Sequence, residues 1–149
     1  MVSVRRIEGT DAPARALLAA MEEDVGRVHG PVTAERTSLV RPEEMASPRG
    51  VYVVLDAGGE SVAGGGVRAL ADGLGEVKRM FVVPDWRRRG LGSRLLGEIE
   101  AAARELGFSR LRLDTAGGLR AFYERAGYRP IADYNGNTYA TFWGEKVLR

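Results

Sequence analysis

The alternation of apolar and polar positions opens with Ser3 to Ile7, which predicts a first strand. Thr10 or Asp11 can cap the helix that follows and Pro13 fits its first turn, with Leu17, Leu18, Met21 and Val25 recurring on one side. Glu22, Glu23 and Asp24 fall near the end of that helix, where its dipole does not favour them. They read as a solvated acidic face or as a rim that attracts a cationic amine. From Gly26 to Pro48 the pattern weakens under Gly30, Pro31, Pro42 and Pro48, with a short helix predicted near Pro42 to Met45. A meander follows: Val51 to Leu55, a turn at Asp56-Ala57-Gly58-Gly59, Ser61 to Leu70, a turn at Asp72-Gly73, and Leu74 to Val83. Strict alternation in the last of these puts Glu76, Lys78, Met80 and Val82 on one face and Val77, Arg79, Phe81 and Val83 on the other. Leu91, Leu95, Leu96, Ile99, Ala102, Ala103 and Leu106 then recur at helical spacing up to Gly107, and Arg110 to Asp114 alternates as a strand. Leu119 to Ala126 predicts a short helix stopped by Gly127. Tyr128 to Tyr134 and Tyr139 to Leu148 predict a closing hairpin across Asn135-Gly136.

Between the strand ending at Pro84 and the helix starting at Leu91 lies Arg87-Arg88-Arg89-Gly90-Leu91-Gly92-Ser93-Arg94. Gly90 and Gly92 permit a positive φ or a close approach by a ligand, and the first turn of the helix offers unpaired amides with a partial positive charge. An anion is favoured there before the four arginines act. The run is not a nucleotide P-loop, because Ser93 follows Gly92 with no lysine, and it is not a dinucleotide fingerprint, because Leu95 stands where a third Gly or Ala is needed. Gly64-Gly65-Gly66-Val67-Arg68-Ala69 matches a dinucleotide pattern by letter, yet a turn and a strand follow it rather than a helix; its glycines read as a bulge or a close backbone approach.

Arg-x-x-Gly-x-Gly between a strand and a helix resembles the pyrophosphate loop of the GNAT superfamily, the acyl-CoA-dependent N-acetyltransferases. Glu76 to Pro84 is similar to that family's central strand, and Ala121-Phe122-Tyr123-Glu124-Arg125-Ala126-Gly127-Tyr128 to its Tyr-Glu-Lys-x-Gly-Phe segment. The order of elements agrees over essentially the whole chain. The resemblance implies a single α/β domain over residues 1–149, with a mixed, mostly antiparallel sheet flanked by helices. It further implies acetyl-CoA as co-substrate, with pantetheine bonded to backbone groups of Phe81, Val82 and Val83 and pyrophosphate on the amides of Arg89, Gly90, Leu91, Gly92, Ser93 and Arg94, helped by Arg87, Arg88 or Arg89. Thr115 to Gly118 lacks the Asn that many members carry there, so no coenzyme contact from an Asn is carried over.

Acyl transfer to an amine needs a group to take the ammonium proton, a donor for the carbonyl oxygen and a proton for the leaving thiolate. The resemblance offers Glu76 as base through water, the amide of Met80 as oxygen donor, and Tyr123 as acid and coenzyme contact. Read without it, Glu76 is equally a strand carboxylate paired with Lys78, and Tyr123 a core residue.

Composition narrows the alternatives. The 149-residue chain has no cysteine, which removes disulfides, thiolate zinc sites and a Cys nucleophile and fits a reducing, cytoplasmic setting. Its single histidine, His29, rules out a multi-histidine metal site, and no metal is expected. No leader pattern and no membrane-spanning run is visible, so no membrane partner is expected. A net charge of +2 is too mild to argue for nucleic acid, and the basic run lacks the interleaved aromatics of a single-strand binder. The expected partner is a small-molecule or peptide amine, its wall drawn from Gly26 to Pro48 and from Tyr134 to Tyr139. A homodimer is compatible with the family. The main alternative is a non-catalytic acyl-CoA sensor on the same fold.

Overall fold

The computed structural model describes residues 1–30 and 40–149. Among these, seven strands form one sheet in the order β1-β2-β3-β4-β5-β7-β6. Strand β1 (Val2–Ile7) pairs antiparallel with β2 (Val51–Ala57), β2 with β3 (Glu60–Ala71), and β3 with β4 (Leu74–Val82). Strand β4 then runs parallel to β5 (Arg110–Thr115), and β7 (Phe142–Val147) lies antiparallel between β5 and the two-residue β6 (Arg129–Pro130). The parallel step requires a crossover, which the helix α2 (Leu91–Glu105) supplies.

Period-2 alternation along β2 divides the core. Tyr52 and Val54 meet Ala14 and Leu17 of helix α1 (Ala12–His29) and Met45 of the 3₁₀ turn Pro42–Met45. Val53 and Leu55 meet Leu95, Leu96 and Ile99 of α2, with Leu111 and Leu113 of β5 continuing that layer. The helical spacing read from the sequence is the spacing that is buried, except at Leu106, which is exposed just past the end of α2. Helix α1 runs on to His29, with Gly30 at φ 80° donating its amide to Gly26. It therefore extends into the stretch whose pattern was weak; residues 31–39 of the expected acceptor wall lie outside the described residues.

Two expectations are corrected. In the β3–β4 ladder, Gly64 faces Phe81 and Gly66 faces Lys78, so Arg79 and Met80 together oppose Gly65. This is a β-bulge, with Arg79 at φ 61°. Past the bulge the alternation flips. Val77 packs with Met80 and Val82 on the α2 side, while Phe81 and Val83 join the α1 side. The three glycines are demanded by packing: a Cβ at Gly64 would lie 2.5 Å from the Tyr52 hydroxyl, one at Gly65 2.9 Å from Met80 Cγ, and one at Gly66 2.4 Å from Met45 Sδ.

The closing hairpin is also shorter than its turn signal implied. Asn135-Gly136 does turn the chain, with Asp133 Oδ1 accepting both amides at 2.9 and 2.7 Å, but inside a loop that runs from Ile131 to Thr141 between β6 and β7. From that loop Tyr134 reaches Glu76 of β4, and Asn135 and Asn137 reach Asp114 of β5. The short helix α3 (Arg120–Arg125) matches the predicted one within a residue or so at each end.

Candidate active site

Pairing between β4 and β5 stops at Glu76 and Arg112. From Val77 onward β4 has no β5 partner, and the two strands diverge around a cavity of about 240 Å³ lined by Lys78, Arg79 and Met80 on one side and by Leu113, Asp114 and Thr115 on the other, with Tyr123, Asn137 and Tyr139 closing it. A second cavity, about 460 Å³, continues along the open edge of β4 past Met80, Phe81 and Val82 to Arg87, Gly92, Phe122 and Tyr123. Met21 and Val25 of α1 wall both.

At the far end of this groove α2 begins. Arg88 and Gly90 both take positive φ, 64° and 77°. The first bond into the helix is from the Arg94 amide to the Gly90 carbonyl at 3.2 Å, so the amides of Leu91, Gly92 and Ser93 have no acceptor within the helix. A Cβ added to Gly92 would stand 3.6 Å from Phe122 Cζ, at the cavity wall. Free amides, a helix dipole and a bare glycine suit a pyrophosphate with its linker in the groove. The arginines divide. Arg87 donates from Nε to the Val82 carbonyl and from Nη2 to Asp24, each at 2.9 Å, and lies over the Phe81 ring, so it braces α1 against β4. That bond holds the Asp24 carboxyl below its ordinary value. Arg89 stacks on Trp86 at 4.5 Å, while Arg88 and Arg94 are exposed.

Glu76 is wholly buried. Its Oε1 accepts from Arg68 Nε at 2.9 Å, its Oε2 accepts from the Tyr134 hydroxyl at 2.6 Å, and Lys78 Nζ lies 3.6 Å from Oε2. It has no surface on the cavity. The carboxylate that does is Asp114: Oδ1 accepts from Lys78 Nζ at 2.7 Å and Oδ2 from Asn135 and Asn137 at 2.8 and 3.0 Å. Burial alone would raise the Asp114 carboxyl, but the Lys78 ammonium and the two amides outweigh it and hold it below its ordinary value. A row of alternating charge thus runs Glu44, Arg68, Glu76, Lys78, Asp114, from the 3₁₀ turn through the sheet to the cavity wall. Tyr123 is buried, and its hydroxyl donates to Met80 Sδ at 3.7 Å. Desolvation, with the Asp114 charge behind it, pushes this phenol up to about 12.

The structure therefore gathers Met80, Phe81, Val82, Gly92 and Tyr123 on one groove, sets Glu76 one side chain behind it, and turns Arg87 and Arg89 to local partners. Sequence reasoning missed Asp114, and it read Lys78 only as a partner for Glu76 and Tyr134 to Tyr139 only as part of the acceptor wall. The available signal was ionisable residues inside strands: Glu76 and Lys78 two apart on β4, and Asp114 following Arg110 and Arg112 on one face of β5. Among the described residues there is no cluster of three or more His, Asp or Glu placed to hold a metal, and no helix is long and apolar enough to cross a membrane.

Comparison with known proteins agrees with this geometry. The family model for the acetyltransferase (GNAT) domain matches residues 48–130. An IAA acetyltransferase of Azospirillum brasilense is 35% identical over 107 residues, 70% of each chain, and the uncharacterized N-acetyltransferase YjgM of Escherichia coli is 31% identical over 144 residues, 88% of this chain and 83% of that one. The fold superposes on the PaiA N-acetyltransferase of Thermoplasma acidophilum, solved with coenzyme A, with a TM-score of 0.71 over 99% of both chains at 17% identity. Strand order, splayed gap, loop and relatives converge on one assignment: the chain belongs to the GNAT superfamily and is an acyltransferase.

Proposed function

We propose that the protein transfers an acetyl group from acetyl-CoA to a primary amine by direct attack in a ternary complex. The observation that carries this reading is the groove itself, which joins an anion seat at the start of α2 to the open edge of β4 and ends on a polar cavity holding Asp114. With no cysteine in the chain, there is no thiol to carry the acyl group, which favours direct transfer.

Acyl-CoA, when bound, supplies a carbonyl carbon activated as a thioester. The amides of Leu91, Gly92 and Ser93 would hold its pyrophosphate, with Arg88 and Arg94 adding charge, and the main chain of Phe81 to Val83 would orient its linker. The bulge removes Met80 from the regular β3 ladder, and its amide is the donor for the carbonyl oxygen as that oxygen gains charge. Tyr123, still protonated across the physiological range, gives its proton to the departing sulfur. Asp114 takes the ammonium proton, and Lys78 accepts one from Asp114 as it passes one to Glu76, so the buried carboxylate is reached by relay. The C–N bond forms and the C–S bond breaks; the second proton lost by the nitrogen restores the Tyr123 phenol, and the proton held on Glu76 returns through Lys78 and Asp114 to water in the gap as the row resets.

Two measurements test the reading. Acetyl-CoA and CoA should raise the melting temperature at concentrations where ATP and NAD do not; equal shifts from all four refute the coenzyme assignment. Thiol release from acetyl-CoA across an amine panel separates an enzyme from an acyl-CoA sensor, which releases none.

A further inference from the structure

The reaction gap and the coenzyme groove share the lining residues Met21, Val25, Met80, Leu119 and Tyr123, so the passage between the two cavities is walled by hydrocarbon, thioether and a phenol. None of these side chains is charged. Met21 and Val25 also line a third cavity, about 330 Å³, where Leu18 and Ala19 of α1 join them. The spacing of Leu18, Met21 and Val25 along the helix stacks them on one face of α1, as an apolar ridge about 10 Å long. Met21 and Val25 thus border all three cavities from one side.

A donor linker in the groove and an amine in the gap must meet in this passage, and the roles already assigned leave one direction open. The thioester sulfur faces Tyr123, the carbonyl oxygen faces the Met80 amide, and the nitrogen arrives from the side of Asp114. Tyr123 and Met80 belong to the core layer on the α2 side of the sheet, whereas Met21 packs with the layer on the α1 side. The remaining substituent of the carbonyl carbon, its alkyl chain, therefore points at the α1 ridge. Methionine suits a chain of variable length, because an unbranched thioether repacks around what it touches. Each methylene moved from water onto such a surface tightens binding by about 2–4-fold, the upper figure applying to full burial.

We infer that the donor site takes acyl groups longer than acetyl, namely propionyl, butyryl and similar short straight chains, with the hydrocarbon laid on Val25, Met21 and Leu18 of α1. The inference rests on the acyltransferase reading and widens its donor from acetyl-CoA to a class of acyl-CoA. The bonds made and broken are those of acetyl transfer, and only the alkyl substituent differs. A chain ending in a carboxylate is disfavoured, because it would set an ion against this hydrocarbon.

The test is a chain-length series: CoA, acetyl-, propionyl-, butyryl- and hexanoyl-CoA, with succinyl-CoA as the charged match to butyryl-CoA. Binding to the parent chain, Val25→Phe and Val25→Ala is followed by calorimetry without any amine, and thiol release is then measured with an accepted amine. In the parent, affinity should rise about 2–4-fold for each methylene from acetyl to butyryl, and butyryl-CoA should bind more tightly than succinyl-CoA and be turned over with a lower KM than acetyl-CoA. Val25→Phe fills the passage and should remove the gain per methylene, while Val25→Ala makes room and should move the best chain toward hexanoyl. A rise in melting temperature with CoA certifies the fold of each variant; should Val25→Phe not fold, the direction of the shift in Val25→Ala decides. Affinity that is flat or falls from acetyl to butyryl in the parent, succinyl-CoA bound as tightly as butyryl-CoA, or a chain-length profile unchanged in the folded variants would each overturn the assignment, and acetyl-CoA still bound and turned over would leave the acyltransferase reading intact. A parent that binds no CoA and releases no thiol from any donor with any amine would refute that reading and this one with it.

Discussion

Replacing Glu76 by Gln separates proton transfer from scaffolding, because the two roles move different observables. The side chain is 1% exposed and sits between two cations, Arg68 at 2.9 Å from Oε1 and Lys78 at 3.6 Å from Oε2, with the Tyr134 hydroxyl also donating to Oε2. Gln keeps the shape and one carbonyl acceptor but loses the charge. A hydrogen bond to a charged group contributes about 1.5–3 kcal/mol, and an orphaned buried charge costs about 3–5 kcal/mol. Neither cation is orphaned here: Arg68 keeps Glu44 at 2.8 Å and Lys78 keeps Asp114 at 2.7 Å. The cost is therefore set near the lower figure, about 2 kcal/mol, and at about 2–4 °C per kcal/mol for a chain of this size the melting temperature should fall by about 4–8 °C.

Scaffolding predicts that fall and nothing else. If Glu76 ends the proton relay, the acyl-transfer step should also drop by about 10²–10⁴-fold near neutrality, with coenzyme affinity unchanged. The loss should shrink as pH rises, since an acceptor with a pKa near 10 then supplies its own free amine. Asp114→Asn should show a comparable loss, and the double variant should be no slower than the worse single one, because both lie on one path. The assay is a single-turnover pH series with a confirmed acceptor, run beside thermal melts. An Asp114→Asn variant that is slow while Glu76→Gln keeps the parent rate at every pH would refute the relay and leave Glu76 as a brace for Arg68 and Tyr134.

Gly90→Ala should lower the melting temperature by about 2–8 °C without filling the site, because Gly90 has open space around it but a φ of 77° that costs an L-residue about 1–2 kcal/mol; an unchanged melt refutes the turn geometry. Gly92→Val should do the reverse, keeping the melt and weakening CoA binding at least about tenfold, since its γ-methyls enter the groove beside Phe122; parent affinity in a folded variant removes these amides from the pyrophosphate site. Tyr123→Phe should slow turnover and spare CoA affinity, and because that phenol sits at about 12, the parent rate should show no loss of a required acid up to about pH 10; a parent-like rate in Tyr123→Phe refutes the acid role. Asp114 has a folded pKa below its unfolded value, so its stabilisation is present above about pH 4 and is lost as pH falls through the lower folded value. The melting-temperature gap between parent and Asp114→Asn should accordingly close on acidification; a gap that widens would mean that the sign is reversed.

What could be read from the chain alone follows from which interactions are local. Helix α2 was legible because six of the seven apolar residues at helical spacing, all but Leu106, meet one continuous core layer, and the turn before it because Gly90 answers a backbone demand that shows in one letter. The extent of β6 and β7 was not, because Asn135-Gly136 signals a turn whether or not the flanking chain pairs. Here Tyr134, Asn135 and Asn137 take their partners from Glu76 and Asp114, and Trp143 Nε1 donates to Asn135 at 3.0 Å, so the loop is shaped by residues 21 to 58 positions away as well as by its own turn. The role of Arg87 stayed open for a related reason. A phosphate-facing arginine and one bound to Asp24, 63 positions earlier, look alike in sequence.

The bulge at Arg79 shows how a distant stretch can reverse a correct local rule. Alternation along β4 held up to Lys78 and failed after it, and the cause lies across the ladder, where Gly64, Gly65 and Gly66 leave room for Tyr52, Met80 and Met45 to crowd the strand. Any side chain at Gly65 would meet Met80 at 2.9 Å and Ile99 at 3.0 Å, so the bulged conformation and the glycine opposite it require each other. The exchange of faces has a chemical result. Met80 and Val82 turn toward α2, where Met80 meets Tyr123, while Arg79 lines the cavity beside α1, so on the proposed reading adjacent residues of one strand serve coenzyme and acceptor. Gly65→Ala should therefore disturb both at once: CoA affinity and acceptor KM should worsen together, with a melting temperature lower by several degrees for about 1–3 kcal/mol of overpacking. Loss of stability with both binding constants unchanged would show that the bulge serves packing alone.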